Sequence, residues 1–382
     1  MSDYPYFRDV HEDVRETARG AAEEFKKTAA EADETADYSI VERNLERLGE
    51  LGLLGLHMPE EYGGAGLDLV SHYVALEEIA KGCLATAFSY NTHRLAMDVI
   101  NIGGTEEQKK KYLPPLCKDK IASFAITEPE AGSDAAAIKT RAKLEGNEYV
   151  LNGSKHFISN TIIAGTNVLI AITDPEKKTR GFSGFIVEKG TPGLKIVGVE
   201  KKMGVKASPT TEYFLDNCRV PRENLLGIEG EGFSTAMQAL EIARIGIGIL
   251  GLGLSKAALE IAIAYAKERV QFGRPIIMNQ AIQFHIADMA SKIEAAENLL
   301  YHAAWLKDQG KSITKEASIA KLLATESCLF ITDKAISILC GPGYTKDYPV
   351  ERYYRDAKVL EMAAGTSEIQ RLIISRQVVG KL

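Results

Sequence analysis

Hydrophobic positions divide the chain into two helical ends and a β-rich middle. From Asp9 to about Pro115 apolar residues recur every three or four positions, as at Val14, Ala18 and Phe25, which predicts helices. Gly63 and Gly64 interrupt this pattern with a loop, because adjacent glycines destabilise a helix. Short β-rich runs follow, separated by turn residues, and predict strands over Ser123–Thr127, Thr140–Leu144, Tyr149–Leu151, Asn167–Thr173, Gly184–Val187 and Thr211–Leu215.

Helical spacing returns after Gly232 and predicts four helices, over Phe233–Phe272, Asn279–Gln309, Thr314–Leu339 and Ser367–Val379. Helices of this length bury more than one face, which favours an antiparallel bundle. The fold class is therefore α+β with several domains. We expect an N-terminal helical domain over residues 1–120, an antiparallel β sandwich or barrel over 121–230, and a helical bundle over 231–382.

Composition and charge narrow the function classes. The 382 residues carry a net charge of −6, which gives no electrostatic reason to expect nucleic-acid binding. Five dispersed cysteines without CxxC spacing favour a reduced, cytoplasmic protein, and no pattern indicates a metal site. The N-terminus lacks the apolar core of a signal peptide. The most apolar run, Ile245–Leu254, is too short to span a membrane.

Two segments of the β region are candidates for ligand binding. In Phe124–Asp134 a strand ends in a turn whose backbone N–H groups, with Thr127 and Ser133, can meet a ligand rich in acceptors. An ordinary capped β-turn explains the segment equally well. In Leu151–Asn160 the side chains of Phe157 and Ser159 are expected on one face of a strand, where they suit a flat heterocycle. Core packing is the competing explanation for Phe157.

Two further segments lie in the helical C-terminal part. Glu268–Pro275 places Arg269 at a helix end, where a guanidinium can pair with a diphosphate or simply be solvated. Cys340–Lys358 is followed by Ala363–Arg371, in which Gly365, Thr366 and Ser367 form a loop before a helix N-terminus.

In this order, with this helix–β–helix layout, the four segments resemble the acyl-CoA dehydrogenase flavoproteins along the whole chain. The resemblance implies a C-terminal four-helix bundle, a homotetramer, one FAD per subunit, an acyl-CoA thioester as substrate, and an electron-transferring flavoprotein as acceptor. It places Phe124, Ile126, Thr127 and Ser133 along the flavin and its pyrophosphate, and Phe157 and Ser159 beside the isoalloxazine. It assigns the adenine half to Arg269, Gln271, Phe272, Gln280, Gly341, Thr366 and Glu368, partly from a neighbouring subunit.

The same resemblance implies substrate contacts. Glu241 and Arg244 match an acidic-x-x-Arg contact to the CoA portion, and Gly365 and Ser133 are expected near the thioester. One departure is Ser337, where the family usually has glutamine, which leaves one adenine contact without its usual residue.

The catalytic base is where this chain departs most from the family. Usual members remove an α-proton with a glutamate immediately before Gly-Thr, whereas this chain has Ala364 there. Other members place the glutamate directly before the arginine of the first bundle helix, and here that residue is Ala243. Neither position provides a carboxylate, so ordinary α,β-desaturation has no evident general base.

One subgroup of the family, the cyclohex-1-ene-1-carboxyl-CoA dehydrogenases of anaerobic aromatic metabolism, uses an aspartate on the acyl-pocket helix instead. The resemblance to it implies a 1,4-elimination in which a proton leaves C3 and a hydride passes from C6 to flavin N5, giving the cyclohexa-1,5-diene thioester. The matching position here is Asn91, whose amide cannot accept a proton near neutral pH. Asn91 is thus either a substitution of an aspartate, or a sign that His93 or Asp98 is the base. A third interpretation is a helix amide hydrogen-bonded to Arg94.

Three alternatives to the alicyclic dehydrogenase stay open at this point. An ordinary α,β-desaturating enzyme with a displaced base is one. A non-redox acyl-CoA lyase resembling the desulfinases is another, with Arg94 holding an anionic leaving group. A catalytically silent binding protein is the third.

Overall fold

The N-terminal part of the chain is helical, as the periodicity predicts. The computed structural model describes residues 5–380, so the first four residues of the start examined for a signal peptide lie outside the described part. Six helices cover this region: α1 (Asp9–Lys26), α2 (Ala29–Thr35), α3 (Tyr38–Glu50), α4 (Leu69–Gly82), α5 (Leu84–Gly103) and α6 (Glu106–Lys118). Helices α4 and α5 are almost fully buried, because α4 packs on α1 and both pack on the C-terminal bundle.

The middle part is one eight-stranded sheet. Its strands are β1 (Ala122–Ala125), β2 (Arg141–Glu145), β3 (Glu148–Ser159), β4 (Thr166–Ile172), β5 (Phe182–Glu188), β6 (Leu194–Val199), β7 (Thr210–Pro221) and β8 (Leu225–Leu226). They follow the order β6-β7-β3-β2-β4-β5-β8, and β1 pairs with β4. Most pairs are antiparallel, as expected, but β1 and β2 both run parallel to β4.

The C-terminal part is the expected helical bundle. It comprises α7 (Gly232–Glu268), α8 (Gln280–Asp308), α9 (Thr314–Leu339), α10 (Gly341–Tyr344), α11 (Val350–Met362) and α12 (Ser367–Val379), with a hairpin of β9 (Val270–Gln271) and β10 (Arg274–Pro275) after α7. Helix α7 is long and apolar enough to cross a membrane by length and composition, but 67% of its most apolar window is buried inside the protein. It is therefore the core helix of the bundle, in contact with α4, α5, α8, α9 and α11.

Several elements differ from the sequence prediction, two of them for a clear physical reason. Helix α7 ends at Glu268 and not at Phe272, because Phe272 and Gly273 both have positive φ and form the two-residue turn of the β9–β10 hairpin. Strand β6 has no predicted counterpart, because it is an exposed strand at the sheet edge with no buried face to give a pattern. Helix α11 was also not predicted, although its buried residues Val350, Tyr353, Ala357 and Leu360 follow helical spacing.

Candidate active site

Asn91 lies where helix α5 crosses helix α7. The side chain is buried, and among the described residues its Oδ1 atom has no hydrogen-bond partner. It lies against Gly246, where a Cβ atom would come within 2.1 Å of that oxygen. The crossing is possible because residue 246 has no side chain. Asn91 therefore fills the space between the two helices, and the structure does not support its interpretation as an amide bonded to Arg94.

Arg94, three residues after Asn91 on helix α5, belongs to a chain of ion pairs. Its Nη1 donates to Asp98 Oδ2, and the other carboxylate oxygen, Oδ1, lies 2.8 Å from His57 Nε2. Burial alone would raise the pKa of Asp98, but the Arg94 guanidinium and His57 hold it below its usual value. Asp98 is therefore an ionised partner of Arg94 and a poor candidate for a substrate base. Arg94 Nε and Nη2 are buried and have no partner within residues 5–380.

His93 is not available as a base. Its Nδ1 accepts a hydrogen bond from the Ala122 N–H at 3.0 Å, and its Nε2 donates to the Leu116 carbonyl at 3.0 Å. Burial lowers its pKa to about 4, so the ring is neutral and both nitrogens are used. The Ala122 bond attaches α5 to strand β1 and the Leu116 bond attaches it to helix α6. Asn160 Nδ2, just after strand β3, donates to the Ser89 carbonyl of α5 at 2.8 Å.

Ala364 and Gly365 form a tight loop before helix α12. Ala364 has φ of 52° and Gly365 has φ of 93°, a conformation that glycine adopts freely and alanine rarely. Lys321 from helix α9 donates to the Gly365 carbonyl at 3.0 Å, and Gln370 Nε2 donates to the same oxygen at 2.9 Å. The loop is thus held rigidly without a carboxylate at position 364. Sequence reasoning missed Lys321 because its partner is a backbone atom more than 40 residues away.

The flavin-side residues split into buried and exposed groups. Phe124 and Ile126 are buried in the hydrophobic core, so the structure does not present their side chains to a ligand. Thr127, Ser133 and Ser159 are partly or fully exposed, and Phe157 is 61% exposed.

Three hydrogen bonds join the segments Phe124–Asp134 and Leu151–Asn160. The His156 N–H donates to the Thr127 carbonyl at 3.0 Å, and buried Lys155 bonds both the Ile126 carbonyl and Glu128. Burial lowers the pKa of Lys155, and the nearby Glu128 carboxylate partly offsets this effect. The resulting pKa is about 8. An exposed flat ring close to surface hydroxyl groups suits the ring system and polar tail of FAD, so the residues present fit this cofactor.

The residues predicted for the adenine half lie in two other places. One group is at the end of α7: Arg269, Gln271 and Phe272 belong to the hairpin, and Gln280 begins α8. These four are exposed, and the Phe272 ring is 100% exposed. The other group follows α9 and α11: Gly341 begins α10, Thr366 caps α12 by accepting from the Ile369 N–H at 3.3 Å, and Glu368 lies exposed in the first turn of α12.

Glu241 and Arg244, the predicted CoA contacts, lie on helix α7. Glu241 accepts a hydrogen bond from the Thr314 hydroxyl at the start of α9. Arg244 Nε is buried without a partner in the described part of the chain, and burial lowers the pKa of this guanidinium. A buried guanidinium N–H without a hydrogen-bond partner is unfavourable in a folded protein. This N–H therefore suits a bound polar group.

Known proteins are similar to this chain over almost its whole length. Three family profiles match in order: acyl-CoA dehydrogenase, N-terminal domain, at residues 8–120, middle domain at 123–218, and C-terminal domain at 230–379. An acryloyl-CoA reductase (NADH) of Anaerotignum propionicum is 47% identical over 96% of this chain and 93% of its own. A short-chain-specific acyl-CoA dehydrogenase of Clostridium acetobutylicum is also 47% identical, over 96% of this chain and 97% of its own.

Solved structures give the same result. The butyryl-CoA dehydrogenase of Megasphaera elsdenii superimposes with a TM-score of 0.95 at 38% identity, covering 99% of this chain and 100% of its own. A structure described with the electron transferring flavoprotein of Acidaminococcus fermentans superimposes with a TM-score of 0.96 at 42% identity, covering 100% of both chains.

Proposed function

This chain belongs to the acyl-CoA dehydrogenase family, FAD-dependent oxidoreductases that act on CH–CH bonds of acyl-CoA thioesters, and we propose that its substrate is alicyclic. The proposed reaction is the 1,4-elimination of cyclohex-1-ene-1-carboxyl-CoA to the cyclohexa-1,5-diene thioester. One proton leaves C3, and a hydride leaves C6 of the ring. When bound, FAD would supply the acceptor for this hydride.

The observation that carries this proposal is the pattern of missing carboxylates. Ala364 and Ala243 leave the thioester α-carbon without a base at either usual position. A conjugated ring transmits the acidifying effect of the thioester to the γ-carbon, C3, so a base elsewhere in the pocket can still start the reaction. Asn91 is the buried polar residue at the α5–α7 crossing, but its amide accepts no proton, so the proposed reaction needs an aspartate at this position to take the proton from C3.

Within this proposal the other residues have positioning roles. Phe157, Ser159, Thr127 and Ser133 hold the flavin half of FAD. Arg244 binds the CoA portion through its Nε, which no other residue within 5–380 bonds, and Glu241 is fixed by Thr314 beside it. Buried α5 and α7 exclude water from the ring.

The decisive experiment restores the carboxylate. In Asn91→Asp, anaerobic addition of cyclohex-1-ene-1-carboxyl-CoA is expected to bleach the flavin about 10²-fold faster or more than in the parent chain, the range of general-base catalysis. Asn91→Ala tests the loss of the amide, and Asn101→Asp, on the same helix, is the matched control for added charge. No gain in Asn91→Asp would overturn the proposal.

A second pair of measurements separates alicyclic from ordinary desaturation. Ala364→Glu returns a carboxylate to the usual position, so butyryl-CoA is expected to bleach this variant and not Asn91→Asp. Bleaching of the parent chain by butyryl-CoA would show ordinary α,β-desaturation with a displaced base.

The lyase remains a second candidate because of one observation. Arg94 Nε and Nη2 have no partner in the described part of the chain, and two parallel N–H donors suit an anionic leaving group such as a sulfinate. Asp98 already neutralises this guanidinium, which favours the dehydrogenase. Turnover of a sulfino thioester without flavin bleaching would establish the lyase.

The partners and location are proposed on separate grounds. The exposed apolar residues of the hairpin, Val270 and Phe272, support burial in a homotetramer. An electron-transferring flavoprotein is the proposed acceptor, since a structural relative is described with one. Five free cysteines support a cytoplasmic location. The proposed domain boundaries lie at 120/121 and 230/231.

A further inference from the structure

A stacked pair of rings interrupts strand β3 at the edge of the candidate flavin site. The rings of His156 and Phe157 lie 4.0 Å apart between centroids and 5° from parallel. Consecutive residues of a regular strand point to opposite faces and cannot stack. This pair therefore requires a local departure from strand geometry.

A β-bulge provides that departure. Lys155 pairs with Tyr213 and Ile158 pairs with Thr211, so that two residues of β3, His156 and Phe157, lie opposite one residue of β7. Phe157 has φ of 55°, which is unfavourable for an aromatic residue and persists only where neighbouring contacts impose it. Bulges of this kind redirect a side chain, and here the redirected ring is Phe157.

The contacts that impose this conformation converge on His156. Its backbone N–H donates to the Thr127 carbonyl, and its Nε2 lies 3.0 Å from Glu200 Oε1, just beyond strand β6. His156 is thus held through its backbone by the Thr127 turn and through its ring by Glu200. Phe157 itself is 61% exposed, so His156 is the ring that holds one of its faces.

We propose that His156 is a positioning residue that, through its ring stack and its contact with Glu200, fixes the Phe157 ring in the orientation that meets the bound flavin. Its role concerns the cofactor and the return of electrons to an acceptor, not the acyl group. It is therefore independent of the substrate proposed above.

Three variants separate the two contacts of His156. His156→Leu removes both the ring and the Glu200 contact, His156→Phe keeps the ring only, and Glu200→Ala keeps the ring but removes its polar anchor. Lys195→Leu is the matched control, because Lys195 is an exposed residue of the neighbouring strand β6 whose side chain forms an ion pair with Asp216 and has no contact with His156 among the described residues. Thermal unfolding of each variant establishes that it is folded.

The first readout needs no acyl-CoA. FAD is removed from the protein and titrated back, with flavin fluorescence and visible circular dichroism recorded. In His156→Leu we expect FAD to bind about 2- to 10-fold more weakly, the range for loss of one aromatic pair, together with an altered visible dichroism spectrum. His156→Phe and Glu200→Ala each keep a ring on Phe157 but lose the polar anchor, so both are expected to lie between His156→Leu and the parent chain in affinity and spectrum.

The second readout isolates electron exit. The flavin is reduced photochemically under anaerobic conditions and then mixed with ferrocenium, of which two equivalents remove the two stored electrons. The rate of flavin reoxidation is expected to change in the same order as the FAD affinity. His156→Leu should be the most affected variant, and Lys195→Leu should be unchanged. The proposal is overturned if His156→Leu binds FAD with unaltered affinity and spectrum, or if His156→Phe is no better than His156→Leu. Neither result depends on whether the substrate is alicyclic.

Discussion

Glycines of helix α7 provide a graded test of the helix crossing at Asn91. A Cβ atom at Gly251 would make only ordinary contacts, the nearest at 3.4 Å. At Gly246 it would meet the Asn91 amide, with Oδ1 at 2.1 Å, Cγ at 3.0 Å and Nδ2 at 3.2 Å. At Gly253 it would meet the backbone oxygen of Glu77 at 2.4 Å. The three positions share one helix and differ in what the added methyl group meets.

The magnitudes follow from two opposing effects. Replacing glycine with alanine inside a helix stabilises it by about 0.5–1 kcal/mol. Overpacking a well-filled core costs about 1–3 kcal/mol. Gly251→Ala should therefore be neutral or stabilising. Gly246→Ala should lose up to about 2 kcal/mol net, because rotating the amide leaves another of its atoms in the way and the whole side chain must move. Gly253→Ala should lose the most, because the backbone of α4 cannot rotate away.

Urea titration measures the free energy of unfolding of each variant. The double variant Gly246→Ala/Asn91→Ala completes the cycle: removing the amide removes the clash, so the two changes should couple by about 1–2 kcal/mol. Gly251→Ala/Asn91→Ala should show no coupling. Equal stability of Gly246→Ala and Gly251→Ala, or additive behaviour of the first pair, would refute the contact between Asn91 and Gly246.

Two further predictions concern buried carboxylates. Burial raises the pKa of Asp356, which accepts a hydrogen bond from the Val205 N–H, to about 7. The native state keeps this proton after the unfolded chain has lost it, so the group's contribution to stability falls as pH rises from about 4 to about 7. Asp356→Asn should flatten that part of the stability profile measured by thermal unfolding, and an unchanged slope would contradict the assignment. Glu77 is fully buried and joins Lys256 on α7 to Tyr301 on α8. Glu77→Leu leaves Lys256 with only Glu297, and should lose about 3–5 kcal/mol in urea titration, whereas a loss below 1 kcal/mol would contradict a central role.

Local signals in the sequence account for much of the fold. Helices α9 and α12 have the predicted bounds to the residue. Periodic apolar positions give their extent, Thr366 caps the start of α12, and Gly341 and Gly380 follow their C-terminal ends. Helix α11 had the same periodicity and was open to prediction. The β9–β10 hairpin was not predicted, since helical periodicity continues into it and a positive φ at Phe272 has no signal in residue type.

In the candidate site too, some features follow from the sequence and others only from the tertiary structure. The sequence by itself determined the α+β class, the family, and the absence of a carboxylate at positions 243 and 364, because these depend on residue identity and spacing along the chain. Only the tertiary structure decided that His93 is fully hydrogen-bonded, that Asp98 is paired with Arg94, and that Asn91 lies against Gly246. Each of these depends on which atoms of distant segments fill the same space, and packing of separate helices and strands fixes that choice, not local preference.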